Sequence, residues 1–241
     1  MRVAWAICRR DLVAAFTTPL MWLVLAAWMF LINGVFMYDL YVVRDEGASF
    51  QPLFVSSLIA SVWFLMPLAP AITMNAFAAE RAQGTLQLLL TAPVREIDLV
   101  IGKFLALFVC LAALIVAILP QPVVLALVSA VDLPQLAVGL VGLTLCCTLF
   151  AALGLWVSLL VDSPVTAYVL TFAAIMALIL VGLGGDHGAL GALSRAIGIT
   201  ERTRAAFAGE LRLGDVAYFL AGSAGLLVLA HAALCARRLH G

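Results

Sequence analysis

Residues Phe104-Leu-Ala-Leu-Phe-Val-Cys-Leu-Ala-Ala-Leu-Ile-Val-Ala-Ile-Leu-Pro-Gln-Pro-Val-Val-Leu-Ala-Leu-Val-Ser-Ala-Val131 contain no Asp, Glu, Lys or Arg. About 20 such residues suffice for a helix to cross a bilayer core of about 30 Å, and this run is longer. Backbone groups in lipid must bond within their own segment, so the run is a helix and not a lone strand. Pro120 and Pro122 withdraw backbone donors from it and predict a kink or a break.

Five more charge-free stretches flank it, at 12–38, 47–79, 133–161, 163–185 and 216–236. Spans are therefore expected at about 20–42, 53–79, 102–129, 134–160, 164–184 and 215–236, within a single transmembrane domain covering 1–241. Pro67 and Pro70 predict a second kink or break, in the second span. Composition agrees: of 241 residues, 66% are apolar and 11% charged, with a mean hydropathy of +1.19. A soluble domain carries roughly 45–50% apolar and about 25% charged residues. The fold class is an all-α integral membrane protein with six transmembrane helices.

The 13 basic and 13 acidic residues cancel, leaving no basic face for nucleic acid. Lys103 is the only lysine. Cys8, Cys110, Cys146, Cys147 and Cys235 form no C-x-x-C pair and read as small hydrophobes. No metal site is expected. Gly102-Lys103 lacks the rest of a phosphate-binding loop, since Ile97 stands where the first glycine belongs. Gly222-Ser223-Ala224-Gly225 does not have nucleophile-elbow spacing, and its small residues predict close helix packing instead. His187, His231 and His240 are far apart in sequence. Asp39 and His231 are the ionisable groups inside spans; no charged ladder crosses the bundle, which disfavours an ion-driven pump. No catalytic set emerges.

Arg9 and Arg10 precede an apolar run too long for a signal peptide, so the first span is expected to remain. With six spans both termini share a side. That side carries Arg2, Arg9, Arg10, Arg81, Arg95, Lys103, Arg237 and Arg238, against Arg44, Arg195, Arg202, Arg204 and Arg212 opposite. The excess places both termini in the cytoplasm.

Residues 2–18 read as an interfacial helix, the alternative being an ordinary positively charged flank of the first span, with Trp5, Cys8, Leu12 and Phe16 on one stripe and Arg2, Arg9, Arg10 and Asp11 off it; Thr17, Thr18 and Pro19 end it. Residues 80–101 are the substantial cytoplasmic loop. Glu80 and Arg81 close the second span, Gly84 permits a sharp change of direction, and Thr85 can cap a short helix bearing Leu86, Leu88, Leu89 and Leu90 before Pro93 stops it. Such a leucine-rich helix at a water-facing turn needs headgroups or a groove on another protein to cover it. Asp98 can cap the third span, with Lys103 snorkelling at the interface. In Val161-Asp-Ser-Pro164, Asp162 or Ser163 can cap the fifth helix. The outer loop, about 185–214, mixes Arg195, Glu201, Arg202, Arg204, Glu210 and Arg212 with Leu193, Ile197, Ile199, Phe207 and Leu211, which suits one or two amphipathic helices. A gate, a surface for a periplasmic partner and a plain cap are all compatible with it.

Pro70-Ala-Ile-Thr-Met74, Phe77-Ala-Ala-Glu80-Arg81, Gly84-Thr-Leu-Gln-Leu-Leu-Leu-Thr-Ala-Pro-Val94 and Gly102-Lys-Phe-Leu-Ala106 together resemble the ABC-2 type permeases, and within them the GldF-like (gliding-motility-type) exporter subunits. Arg9-Arg-Asp-Leu12, Gly154-Leu-Trp-Val-Ser158 and Gly214-Asp-Val-Ala-Tyr218 extend the resemblance along the chain. Gln87 departs from the glutamate usual in the loop motif. The resemblance implies an N-terminal elbow helix and a cytoplasmic coupling helix docking on a separate ABC ATPase subunit. Glu80, Arg81, Gly84, Thr85, Leu86, Leu88, Leu89 and Leu90 are then the coupling residues. It further implies a dimer with a second permease, identical or related, in the bacterial inner membrane. ATP and magnesium belong to the partner ATPase, and no cofactor to this chain. A scaffold of transporter-like fold that moves no substrate, and a membrane-embedded enzyme, are the competing classes.

Overall fold

The computed structural model describes residues 2–46, 52–85, 95–128, 132–183 and 197–240. Their helices are α1 (Arg2–Thr17), α2 (Pro19–Glu46), α3 (Pro52–Thr73), α4 (Ala78–Ala82), α5 (Glu96–Val116), α6 (Pro120–Val128), α7 (Leu133–Leu160), α8 (Pro164–Gly182), α9 (Thr200–Phe207) and α10 (Leu213–His240). No strand occurs among the described residues. Six stretches are long and apolar enough to cross a membrane: Pro19–Val43, Leu53–Ala82, Glu96–Leu127, Leu133–Leu160, Pro164–Gly182 and Leu213–Ala236. They match the six expected spans, except that the third begins a turn and a half earlier.

The two proline pairs act differently. Pro120 and Pro122 coincide with a true break: α5 ends at Val116, residues 117–119 turn, and Pro120 opens α6. Pro67 and Pro70 leave α3 unbroken to Thr73, and the chain gives way only afterwards, at 74–77. A proline removes its own N–H, but the Pro70 carbonyl still accepts from Met74 N at 2.8 Å.

At the centre stands α7, touching α3, α5, α8, α9 and α10. It is apolar on every side and is buried along most of its length from Gly139 to Leu159. In lipid, hydrophobic transfer gives little drive to helix association, so close van der Waals packing and interhelical hydrogen bonds decide it. Small residues on α7 supply the first. A Cβ at Gly139 would lie 2.5 Å from Leu58 Cδ1, and one at Gly142 2.6 Å from Ala206 Cβ. Buried polar side chains supply the second. Trp28 Nε1 donates to the Leu114 carbonyl (2.8 Å), and Gln121 Nε2, at the break in the third span, donates to the Ile32 carbonyl (3.2 Å).

Opposite the termini, α9 is seated on the bundle with Thr203, Ala206 and Phe207 buried. Gln135 Nε2 holds the Phe207 carbonyl (3.3 Å) and Thr200 Oγ1 the Ile179 carbonyl (3.1 Å). Arg202 pairs with Asp215 (2.8 Å) and lies over the Tyr218 ring (4.2 Å). This part of the loop before the sixth span is thus packed on the bundle; residues 184–196, including Leu193 and Arg195, lie outside the described residues.

Several local expectations are corrected. Asp98 is not the cap of the third span: Arg95 holds that position without a side-chain cap bond, and Glu96 and Asp98 sit in the first turn. Ser163 is the N-cap residue of α8 but makes no side-chain cap bond, and Asp162 is engaged elsewhere. Of the small residues at 221–225, Gly222 faces α7, with Leu149 Cδ1 3.2 Å from where its Cβ would be, whereas Gly225 has open space around it. A helix turns residues three apart, such as Gly222 and Gly225, by about 60° relative to one another, enough to separate packed from unpacked faces.

Candidate functional site

The site grows from the break after α3. At its end Thr73 Oγ1 donates back to the Ala69 carbonyl (3.0 Å). Residues 74–77 then leave helical geometry, and α4 restarts at Ala78 with its first N–H groups orphaned, as at any helix start. No local side chain caps it. Ser158 of α7 does so from across the bundle. Its Oγ accepts from Phe77 N (2.9 Å) and Ala78 N (3.0 Å) and donates to the Met74 carbonyl (3.2 Å). One turn earlier on α7, Gly154 makes room for this: a Cβ there would lie 2.1 Å from Thr73 Oγ1.

α4 carries Glu80 and Arg81, and they reach opposite ways. Arg81 Nη1 donates to the carbonyls of Leu159 (3.0 Å) and Val161 (3.2 Å), satisfying groups left open at the end of α7. Arg81 Nη2 pairs with Asp162 in the turn to α8. Glu80 turns toward α1 and α5. Its Oε1 accepts from Lys103 Nζ (2.9 Å) and Arg10 Nη2 (3.0 Å). Lys103 also reaches Asp11 Oδ2 (3.2 Å), and Arg10 pairs with Asp11 Oδ1 (2.8 Å). Two cations and two carboxylates thus join three elements.

Lys103 does not snorkel. Its side chain is 3% exposed, and the ammonium lies 5.0 Å from the centroid of the Phe77 ring. A buried ammonium is tolerable only when paired, which the two carboxylates provide. Burial alone would lower the Arg10 guanidinium; the hydrogen bond and charge of Asp11, then those of Glu80, outweigh it and leave it above the usual arginine value.

α1 reaches this cluster by packing on α5. It buries Ala4 and Cys8, whereas Trp5 of the expected stripe is 66% exposed. Small residues win the protein-facing side because the helices approach closely: a Cβ at Gly102 would lie 2.7 Å from the Ala4 carbonyl oxygen. Thr18 and Pro19 make the elbow into α2, pinned by Trp22 Nε1 on the Phe16 carbonyl (2.8 Å).

Beyond α4, Gly84 has φ +70°, the left-handed region in which glycine is at ease, and its N–H closes on the Arg81 carbonyl (3.0 Å). Thr85 Oγ1 donates backward to the Glu80 carbonyl (3.1 Å). Of the eight expected coupling residues, Glu80, Arg81, Gly84 and Thr85 gather here, and Leu86, Leu88, Leu89 and Leu90 lie outside the described residues. Sequence reading did not give roles to Phe77 and Asp162 in this site, nor to Ser158, Lys103, Arg10 and Asp11 as partners of α4. The available signal was the solitary lysine at the head of a span, with no carboxylate three or four residues away on the same helix.

Residues 37–204 match the family described as ABC-2 family transporter protein. The match takes in more than half of the chain, which belongs to the ABC-2 transporter family, a class of membrane permeases. The probable ABC transporter permease protein NosY of Pseudomonas aeruginosa is a curated relative, 35% identical over 120 residues that make up 48% of this chain. The chain spans 43% of that relative's length.

Proposed function

We propose that this chain is the membrane-spanning permease subunit of an ATP-driven ABC-2 exporter of GldF-like type, its single transmembrane domain forming a translocation pathway as a dimer with a second permease. Residues 80–90 are its coupling element, received by a separate cytoplasmic ATPase that alone holds ATP and magnesium. Both termini then lie in the cytoplasm, in a bacterial inner membrane.

The observation that carries this reading is the double anchorage of α4. Glu80 ties it to α1 and α5, while Arg81 and the Ser158-capped start tie it to the junction of α7 and α8. A push delivered beside Gly84 would be felt on both sides of the bundle at once. Packed interfaces convert small displacements into rigid-body shifts. No step of ATP chemistry belongs to this chain; its residues receive and transmit motion.

Gly84→Pro and Leu88→Asp test it. Proline cannot take φ +70°, and an aspartate in place of a leucine that docks on the partner is an unpaired charge. Both variants are expected to insert in the membrane, yet to lose co-purification with the ATPase and stimulated ATP hydrolysis. Full activity in both would refute the assignment of 80–90. Assembly without nucleotide-dependent transport in the unaltered protein would favour a scaffold.

A further inference from the structure

The charged cluster is one wall of a cavity of about 360 Å³ between α1, the start of α2, the end of α3 and α5. Its polar end is Arg10, Asp11, Glu80 and Lys103; the rest of the lining is mostly apolar, including Val24 and Leu107, and extends to Cys110. From Lys103 to Cys110 the helix rises about 10 Å. A charged mouth over an apolar shaft of that depth, at the end of membrane-crossing helices, is shaped for an amphiphile.

The charges say which kind. Lys103 is buried and spent on two carboxylates, so it offers nothing to a ligand. Arg10 is 51% exposed, and its Nη1 has no bond among the described residues. Asp11 and Glu80 remain about one-fifth exposed, at 21% and 20%. The mouth therefore presents one cation with a spare Nη1 beside two carboxylates that already accept from Arg10 and Lys103, and of their four oxygens Glu80 Oε2 alone has no hydrogen-bond partner. A purely anionic headgroup would face both carboxylates, and a purely cationic one would face Arg10. A zwitterion satisfies both, with its phosphate on Arg10 and its ammonium on Asp11 and Glu80. Carboxylates accept hydrogen bonds, which a primary ammonium can donate and a quaternary one cannot.

We propose that this cavity binds one aminophospholipid, phosphatidylethanolamine in kind, from the leaflet on the side of the termini. Its headgroup closes over the Arg10–Asp11–Glu80 cluster and one acyl chain lies along α5. The site shares Glu80 with the proposed coupling element, but binding a lipid there needs no ATPase.

The test uses the full chain, delipidated in detergent and titrated separately with phosphatidylethanolamine, phosphatidylcholine, phosphatidylglycerol and soluble glycerophosphoethanolamine. Retained lipid is counted by native mass spectrometry, and the melting temperature is followed in parallel. One phosphatidylethanolamine per chain is expected, held about tenfold more tightly than the other lipids, the scale of one charge-assisted hydrogen bond. Ala15→Phe, which fills the cavity beside α1, is expected to abolish retention, and Arg10→Ala to remove the headgroup preference. The comparison among lipids on the unaltered chain stands even if a variant fails to fold. Equal retention of phosphatidylcholine, a preference for phosphatidylglycerol, equal affinity for the soluble headgroup, or no retention at all would each overturn the proposal.

Discussion

Lys103 Nζ lies 2.9 Å from Glu80 Oε1 while almost wholly withdrawn from solvent, so the third span and the segment after the second are joined by a buried charge pair. With Asp11 as the second carboxylate on the same ammonium, α1 is drawn into the joint. The elbow, the break after α3 and the head of α5 are one mechanical unit on this account.

Lys103→Ala leaves Asp11 and Glu80 to Arg10 alone and is expected to destabilise the chain by about 1–3 kcal/mol, the scale of a lost hydrogen bond to a charged group. Lys103→Met combined with Glu80→Gln should recover a large part of that loss. Thermal unfolding of the two variants in one detergent measures both effects; equal loss in the single and double variants would show that the pair is not coupled.

Ser158→Ala removes the acceptor of two buried N–H groups. Each stranded donor costs about 1–3 kcal/mol, and the loss should appear first as opening of residues 74–82. Faster amide exchange at Phe77 and Ala78, with α7 itself unchanged, is the expected signature.

Gly154→Ala places a methyl group against the side chain of Thr73, too close for both to stay where they are. Overpacking of this kind costs about 1–3 kcal/mol. Gly225→Ala is the control: nothing lies within 4 Å of its Cβ position, so the change should be neutral or stabilising by up to about 1 kcal/mol through helix propensity. Melting temperatures that fall together would contradict the packing at Gly154.

Arg81→Ala should cost more than Asp162→Ala. Arginine serves two backbone carbonyls at the end of α7 as well as the carboxylate, whereas Asp162 is 80% exposed and its partner keeps those carbonyls when it is removed. The ordering can be read from thermal unfolding.

Cys8 should resist alkylation at neutral pH. Burial pushes its thiol above the ordinary value and the charge of Asp11 adds to the shift, so less thiolate is present at any given pH. Labelling with a small maleimide should be slow below the ordinary thiol range and rise only above it. Rapid labelling at pH 7 would mean that α1 leaves α5 readily.

Six charge-free runs determined the number and approximate placement of the candidate membrane spans, because lipid forbids unpaired backbone and demands about 20 apolar residues per crossing. Thr17-Thr18-Pro19 and Gly84 were legible as turns for equally local reasons: proline lacks the N–H that would bond back to the preceding turn, and glycine accepts a positive φ. Whether a proline pair breaks its helix was not local. Pro120 did and Pro70 did not, although each costs a donor, and the break after α3 falls where Ser158, 84 residues from Met74, supplies the missing bonds. The buried face of α1 likewise followed from the close approach of Gly102 and not from the periodicity of its larger side chains. Above all, the pairing of Lys103 with Asp11 and Glu80 joins residues 92 and 23 positions apart. A sequence displays which residues carry charge; only the tertiary fold, by excluding water from one ammonium, decides which carboxylates must attend it.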